Sequence, residues 1–234
     1  AAMKQGDVII SGGGLVGLTL ALALDQAGLK SFVVEAMDPA QSLAKGFDGR
    51  ASAISSSSWR MLEALGVADD LRDHTAPIRR IEVRDGVQRD CLDFTIGADD
   101  EPLGHMLENS ILRSALHDHA ARAKNVRLFM PNRAVKTERD DVSARVTLDD
   151  GTNLVAPLLL AAEGRKSTTR EAAGLNTAHW DYNHTAIISA FDHAIPHDNI
   201  AHEIFYPAGP FALLPLPPGT RSALVWTVAT KDAA

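Results

Sequence analysis

The chain has 234 residues, of which 45% are hydrophobic and 23% charged, an ordinary composition for a globular protein. This length is ample for a buried core, as one large domain or two small ones. The net charge of −7 argues against general nucleic-acid binding, which needs a basic face. The single Cys91 excludes an internal disulfide and suits a reducing compartment.

The first predicted element is a βαβ unit at 7–35. An apolar run at 8–10 leads into Gly12-Gly13-Gly14-Leu15-Val16-Gly17 and a Leu/Ala-rich helix predicted over 15–27, which ends at Gly28. The next apolar run closes with Glu35, near the roughly 20-residue spacing expected of an acid that binds a ribose hydroxyl. Four glycines interrupt residues 8–24, which disfavours a signal peptide or a membrane span.

Each residue type in this unit has a physical role at a site for an adenine dinucleotide. Gly12 permits the tight turn, Gly14 lets the backbone approach the pyrophosphate, and Gly17 lets the helix pack against the strand. The free N–H groups and the positive end of the helix then face the phosphates. A lone Gly-x-Gly-x-x-Gly is a weak signal, so other motifs must decide the dinucleotide and the chemistry.

The rest of the chain alternates helices with short strands. The pattern predicts a loop at 37–49, helices at 56–65 and 109–123, a hairpin at 78–84 and 91–94, a strand at 126–130, antiparallel strands at 134–139, 143–148 and 153–162, a short helix at 167–173, and strands of a second sheet at 186–191, 203–206, 211–214 and 223–228. Residues 158–162 are continuously apolar, which indicates a strand covered on both faces.

Four segments carry further motifs: Asp48-Gly49-Arg50 within 46–54, Glu108-Asn109 followed by Arg113, Glu163-Gly164 within 160–170, and 208–216 around Gly209-Pro210. With them, the sequence resembles the aromatic-ring flavoprotein monooxygenases of the para-hydroxybenzoate hydroxylase class, and more narrowly the ubiquinone-biosynthesis hydroxylases. The resemblance implies an α/β fold, in which a Rossmann-like βαβ FAD-binding domain with a β-meander is interleaved with a smaller mixed β-sheet substrate domain. It places FAD-binding segments at 1–76 and 105–176, and substrate segments at 77–104 and 177–234.

The resemblance also implies the cofactor contacts. The pyrophosphate of FAD would lie at Gly12, Gly14, Leu15, Val16 and Gly17, and the adenosine ribose at Glu35. Arg50 would lie on the FAD side of the active site, and Asn109 and Arg113 would lie toward the flavin phosphates. Glu163-Gly164 stands where the class has Asp-Gly. In the class, that Asp-Gly pair touches the flavin and the path of the nicotinamide donor. Two alternatives stay open: Arg50 as a salt-bridged surface residue, and Asn109 as a helix cap.

The implied activity is FAD-dependent hydroxylation of the aromatic ring of a polyprenylated phenol, with O₂ and with NADH or NADPH as electron donor. This activity needs no protein nucleophile and no metal. His193 and His197 have a spacing that could hold a metal only on a helix, and Pro196 disfavours a helix there. The resemblance implies a cytoplasmic protein, peripheral on the inner membrane face, within a biosynthetic complex.

The third flavin motif of the class, Gly-Asp-Ala with its following segment, has no match here. We therefore expect an N-terminal fragment of a longer protein. One alternative is a truncated, inactive dinucleotide-binding fragment or an accessory protein of a biosynthetic complex. A weaker one is a dehydrogenase or reductase that shares only the first motif.

Overall fold

A computed structural model describes residues 3–43 and 48–233. The strands are β1 (Met3–Gln5), β2 (Val8–Ser11), β3 (Ser31–Val34), β4 (Ala51–Ser55), β5 (Ala76–Ile78), β6 (Arg80–Asp85), β7 (Cys91–Thr95), β8 (Gly104–Glu108), β9 (Val126–Phe129), β10 (Ala134–Arg139), β11 (Ala144–Leu148), β12 (Asn153–Ala156), β13 (Leu158–Ala161), β14 (His184–Asp192), β15 (Ile200–Tyr206), β16 (Gly209–Leu216) and β17 (Arg221–Ala229). The α-helices are α1 (Leu15–Gln26), α2 (Pro39–Ser42), α3 (Ser56–Ala64), α4 (Asn109–Arg122) and α5 (Thr168–Ala172). Short 3₁₀ turns lie at Ala68–Asp70, Arg72–His74, Gly164–Lys166 and Thr230–Asp232.

The chain divides into two compact units, and the first spans Ala1–Lys45 and Leu112–Ala178. Its centre is a parallel sheet in the order β13-β2-β3-β9, and a second sheet in the order β1-β12-β11-β10 contains the antiparallel meander. Ile9 and Phe32 of the parallel sheet belong to one buried cluster with Val146 and Leu154 of the meander. Ile10 lies beside Gly17 of α1, so the helix covers the other face of the parallel sheet.

The predicted strand at 153–162 is two strands in two sheets. Pro157 separates them: β12 pairs with β11 and β1 in the meander sheet, and β13 pairs with β2 in the parallel sheet. Proline has no N–H to donate to a ladder, so pairing breaks there. The prediction of a strand covered on both faces is wrong, because β13 is an edge strand and Leu158 is exposed.

The predicted loop at 37–49 contains a helical turn, so that prediction is wrong at α2. Asp38 caps this turn by accepting a hydrogen bond from the backbone N–H of Ala40 at 2.8 Å, and Pro39 occupies its first position. An Asp cap followed by proline is a favourable helix start. Residues 44–47 of the predicted loop lie outside the described residues.

The second unit spans Gly46–Ile111 and His179–Ala234. It holds a six-stranded sheet in the order β14-β17-β16-β15-β6-β7, in which β15 and β6 are parallel and the other pairs antiparallel, and a three-stranded sheet in the order β4-β8-β5. Ala76, Ile78 and Met106 of the small sheet share a buried cluster with Ala201 and Leu216 of the large one. The predicted mixed α/β fold class is confirmed. The assignment of particular segments to FAD and to substrate stays a prediction.

Candidate functional site

The turn between β2 and α1 is closed by two glycines that admit no side chain. Gly12 has a φ of +107°, and a Cβ there would overlap the carbonyl oxygen of Ala162. A Cβ on Gly17 would overlap the carbonyl oxygen of Gly12, so only glycine lets the first turn of α1 lie against the preceding loop. These positions are fixed by the protein's own packing.

Gly14 is different, because the protein itself leaves room for a side chain there. Its φ of −80° is open to any residue, and a Cβ would meet no atom of the described residues within 4 Å. Gly14 is the N-cap of α1, and no side chain from 3–43 or 48–233 caps the helix. The unpartnered N–H groups at a helix start favour an anion, and an absent Cβ lets that anion approach the backbone.

Glu35 lies directly after β3, beside this turn. Its Oε2 accepts a hydrogen bond from the backbone N–H of Gly13 at 2.9 Å, and its Oε1 accepts one from Met37 at 2.7 Å. These bonds hold a half-buried carboxylate at the rim of a surface cavity of about 210 Å³. The cavity is lined by Ser11, Gly12, Val34, Glu35, Ala36, Asn132, Arg133, Ala134, Glu163, Lys166 and Thr168.

Asn132 is a cavity residue that the sequence reasoning missed. Its backbone N–H donates to the carbonyl oxygen of Glu35 at 2.8 Å, which fixes it beside the acid. Its side-chain Oδ1 is buried and makes no hydrogen bond within the described part of the chain. A buried acceptor without a donor is costly, so this atom marks a place where a ligand donor would be stabilising. Asparagine after a proline in a loop gave no signal for this in the sequence.

Glu163 is a hydrogen-bonding centre of the first unit. Its carboxylate accepts from Ser11 Oγ at 2.6 Å, from Ser167 Oγ at 2.5 Å, and from Thr169 through both N at 3.0 Å and Oγ1 at 2.9 Å. Burial acts to raise the pKa of this carboxyl, but these hydrogen bonds outweigh it and leave the pKa lowered. Glu163 therefore joins the end of β2 to the start of α5, while Gly164 next to it takes a φ of +75°.

Arg50 and Asn109 come together in the second unit. The backbone N–H of Asn109 donates to the carbonyl oxygen of Arg50 at 3.0 Å, and Ser52 Oγ donates to Asn109 Oδ1 at 2.6 Å. The Arg50 guanidinium is 61% exposed and pairs with Asp48 at 3.2 Å. Asn109 begins α4, and Arg113 is half-buried on the same helix. The cofactor contacts of these residues stay predictions.

Within 3–43 and 48–233, no group of three His, Cys, Asp or Glu side chains is placed to hold a metal ion. His193 Nε2 lies 2.9 Å from Ser222 Oγ, and His197 Nε2 lies 2.9 Å from the carbonyl oxygen of Leu216. Over the same residues, no helix is long and apolar enough to cross a membrane.

An uncapped helix start beside an acid that follows β3 is the arrangement of a dinucleotide-binding fold. The chain belongs to the FAD binding domain family, which it matches over residues 5–234. It is 41% identical over 227 residues to the ubiquinone hydroxylase UbiL of Rhodospirillum rubrum, covering 97% of this chain and 53% of that protein. It is 30% identical to the human ubiquinone biosynthesis monooxygenase COQ6, covering 97% of this chain and 52% of that protein.

Solved structures share the fold. PqsL from Pseudomonas aeruginosa, a probable FAD-dependent monooxygenase, has a TM-score of 0.82 at 22% identity over 98% of this chain and 62% of its own. HpxO of Klebsiella pneumoniae, solved with FAD and uric acid, has a TM-score of 0.74 at 19% identity, over 99% of this chain and 58% of its own. The chain spans about half the length of the curated relatives it matches.

Proposed function

We propose that this chain forms the FAD-binding part of a monooxygenase that hydroxylates the aromatic ring of a polyprenylated phenol in ubiquinone biosynthesis, with NADH or NADPH as electron donor. The observation that carries the proposal is the open space at Gly14, the N-cap of α1, one residue after Gly13, whose backbone N–H donates to the cavity-lining carboxylate of Glu35. The two ubiquinone-pathway relatives support the substrate class.

The residues present fit FAD. The backbone of Gly12, Gly14, Leu15, Val16 and Gly17 would hold the pyrophosphate at the helix start. Glu35 would accept the ribose hydroxyls in place of one of its present bonds. Asn132 Oδ1, which is buried and has no donor among the described residues, would accept a hydrogen bond from the adenosine half of the cofactor.

The remaining contacts that the resemblance implies are also part of the proposal. Arg50 would lie on the FAD side of the active site, and Asn109 and Arg113 would face the flavin phosphates. Glu163-Gly164 would lie at the flavin and the approach of the donor. Glu163 would act by orienting the turn, because its carboxylate is occupied by bonds to Ser and Thr side chains. Bound FAD would supply the electron transfer and oxygen chemistry that no side chain here supplies.

The surroundings of the reaction are part of the proposal. A polyprenylated phenol is poorly soluble in water, so the protein would work in contact with the inner face of the membrane, peripherally, and with neighbouring enzymes of the pathway. The protein would bind the ring, orient it and exclude water from the reacting atoms.

The test is reconstitution with FAD followed by turnover. The purified protein should take up FAD with a perturbed flavin absorbance spectrum, and should then consume NADH or NADPH only when a short-chain polyprenylated phenol and O₂ are both present. The matched control is the same phenol with its ring hydroxyl methylated. A protein that takes up no FAD, or that oxidises the donor without hydroxylating any phenol, would contradict the proposal.

A further inference from the structure

Glu203 is a carboxylate placed in an otherwise apolar row of the six-stranded sheet. On β15 it lies opposite Val83 of β6 and Ala212 of β16. The row continues through Val225 of β17 to Ile188 of β14. Directly paired residues of neighbouring strands project from the same face, so these four apolar side chains share a face with Glu203.

Glu203 has no partner within the described residues. The other buried or half-buried carboxylates there are all paired: Asp25 with Asn125, Glu35 with Gly13, Glu82 with Arg80 and Arg84, Glu108 with Arg221, and Glu163 with Ser11. Burial alone acts on the Glu203 carboxyl and raises its pKa. A partly desolvated carboxylate without a donor is unfavourable, so a donor from a ligand would be well bound.

The β14 end of this row meets the Asp48-Gly49-Arg50 element. A Cβ built on Gly49 would lie 3.3 Å from Cδ1 of Ile188. The strands β14 and β15 lie three strand spacings apart, so Ile188 and Glu203 are separated by about 14 Å across the sheet. Ile188 is 44% exposed, and Phe205, two residues after Glu203 on the same face, is 51% exposed. The face is therefore accessible at its two ends, at Ile188 and beside Glu203 at Phe205, while Ala212 between them is buried.

We infer that this row holds the aromatic ring of the substrate and that Glu203 accepts a hydrogen bond from its phenolic hydroxyl. The inference rests on the proposed function, which supplies the phenol as substrate class. An unpaired carboxylate on an apolar strip complements a ligand that joins an apolar ring to one acidic O–H. A ring without the hydroxyl would leave the half-buried carboxylate without a donor, so the site would favour the phenol over it.

Equilibrium binding to the FAD-loaded protein, without electron donor, tests this apart from turnover. The probes are 2-prenylphenol and its methyl ether, and calorimetry gives both dissociation constants. Wild type should bind the phenol about tenfold or more tightly than the ether, the size expected for one hydrogen bond to a charged group. Glu203→Met should bind both probes within about twofold, and Glu203→Gln, which keeps a neutral acceptor, should fall between.

Stability measurements keep the test sharp. Glu203→Met removes an unpaired carboxylate from an apolar face, so it should unfold at the same or higher temperature than wild type. The control Glu138→Met, at an exposed residue paired with Lys136, should keep the preference for the phenol. If wild type binds the phenol and the ether equally, or if the phenol preference survives in Glu203→Met, the role of Glu203 is overturned while the proposed substrate class stands. A wild type that binds neither probe would overturn the proposed substrate class, and this inference with it.

Discussion

Alanine at Gly14 and alanine at Gly17 should have opposite consequences, although the two residues are three apart in one turn. Gly14→Ala places its methyl group in open space, whereas Gly17→Ala drives one into a backbone carbonyl. The first substitution should therefore weaken FAD binding and spare the fold. The second should damage the fold itself.

The magnitudes follow from local energetics. Alanine is a poorer N-cap than glycine by roughly 0.5–1 kcal/mol, but it restricts the unfolded chain by about 0.4–1 kcal/mol, so the Gly14→Ala terms nearly cancel. At Gly17, alanine gains about 1 kcal/mol in helix propensity, but overpacking against a backbone atom costs roughly 1–3 kcal/mol or more, because no side chain can rotate away. Because the overlap is severe and is with a backbone carbonyl oxygen, the cost lies at the upper end of this range or beyond it, and a net loss of about 2 kcal/mol or more is expected for Gly17→Ala.

The two effects are measured separately. Urea unfolding without FAD gives the free energy of unfolding, and quenching of flavin fluorescence gives the dissociation constant. Gly14→Ala should weaken FAD binding at least tenfold, since it displaces a phosphate from one or more helix N–H groups worth roughly 1.5–3 kcal/mol each. Wild-type FAD affinity in Gly14→Ala, or equal stability of the two variants, would refute this account of the turn.

Three further predictions concern single side chains. Burial raises the pKa of Glu163, but the hydrogen bonds outweigh it and leave the pKa lowered, so the contribution of Glu163 to stability is complete above its unfolded-state pKa and is lost as pH falls through its folded-state pKa. The urea midpoint of Glu163→Gln should therefore vary less between about pH 6 and pH 3 than that of wild type. An equal variation would count against the hydrogen-bond network of Glu163. Asn132→Ala should weaken binding of ADP about three- to tenfold in calorimetry with little change in stability, since Oδ1 has no partner in the part of the chain that the structure describes. An unchanged affinity would remove Asn132 from the adenosine site. Arg221→Met leaves the Glu108 carboxylate without its 2.7 Å ion pair and should lower the free energy of unfolding by roughly 1–3 kcal/mol. Arg221→Lys should restore part of this loss. Wild-type stability of Arg221→Met in urea would show that the pair contributes nothing.

The glycine turn was predictable because its requirements are local. The overlap at Gly12 and Gly17 arises within one strand–turn–helix unit and the strand beside it, and the spacing of residues along the chain encodes it. The helices at 56–65 and 109–123 were predicted for the same reason: their apolar spacing and polar starts are properties of a single segment, and α3 and α4 confirm them.

What the sequence did not reveal depends on distant partners. The run at 158–162 is apolar enough for a central strand, but its place at the sheet edge is decided by pairing with β2 alone. The strands β4 and β8 are short and lack strict alternation, and they form because they pair with each other. The missing donor at Asn132 and the missing partner at Glu203 are properties of assembled surroundings, which no periodicity encodes.

The most direct test of the central claim is the fate of molecular oxygen. The FAD-loaded protein is given a short-chain polyprenylated phenol and NADH or NADPH under ¹⁸O₂, and the product is analysed by mass spectrometry. The expected result is a ring-hydroxylated product that carries one ¹⁸O atom, formed by wild type and strongly reduced in Gly14→Ala at limiting FAD. A hydroxylated product whose new oxygen comes from water, or no hydroxylated product from a protein with bound FAD, would contradict it.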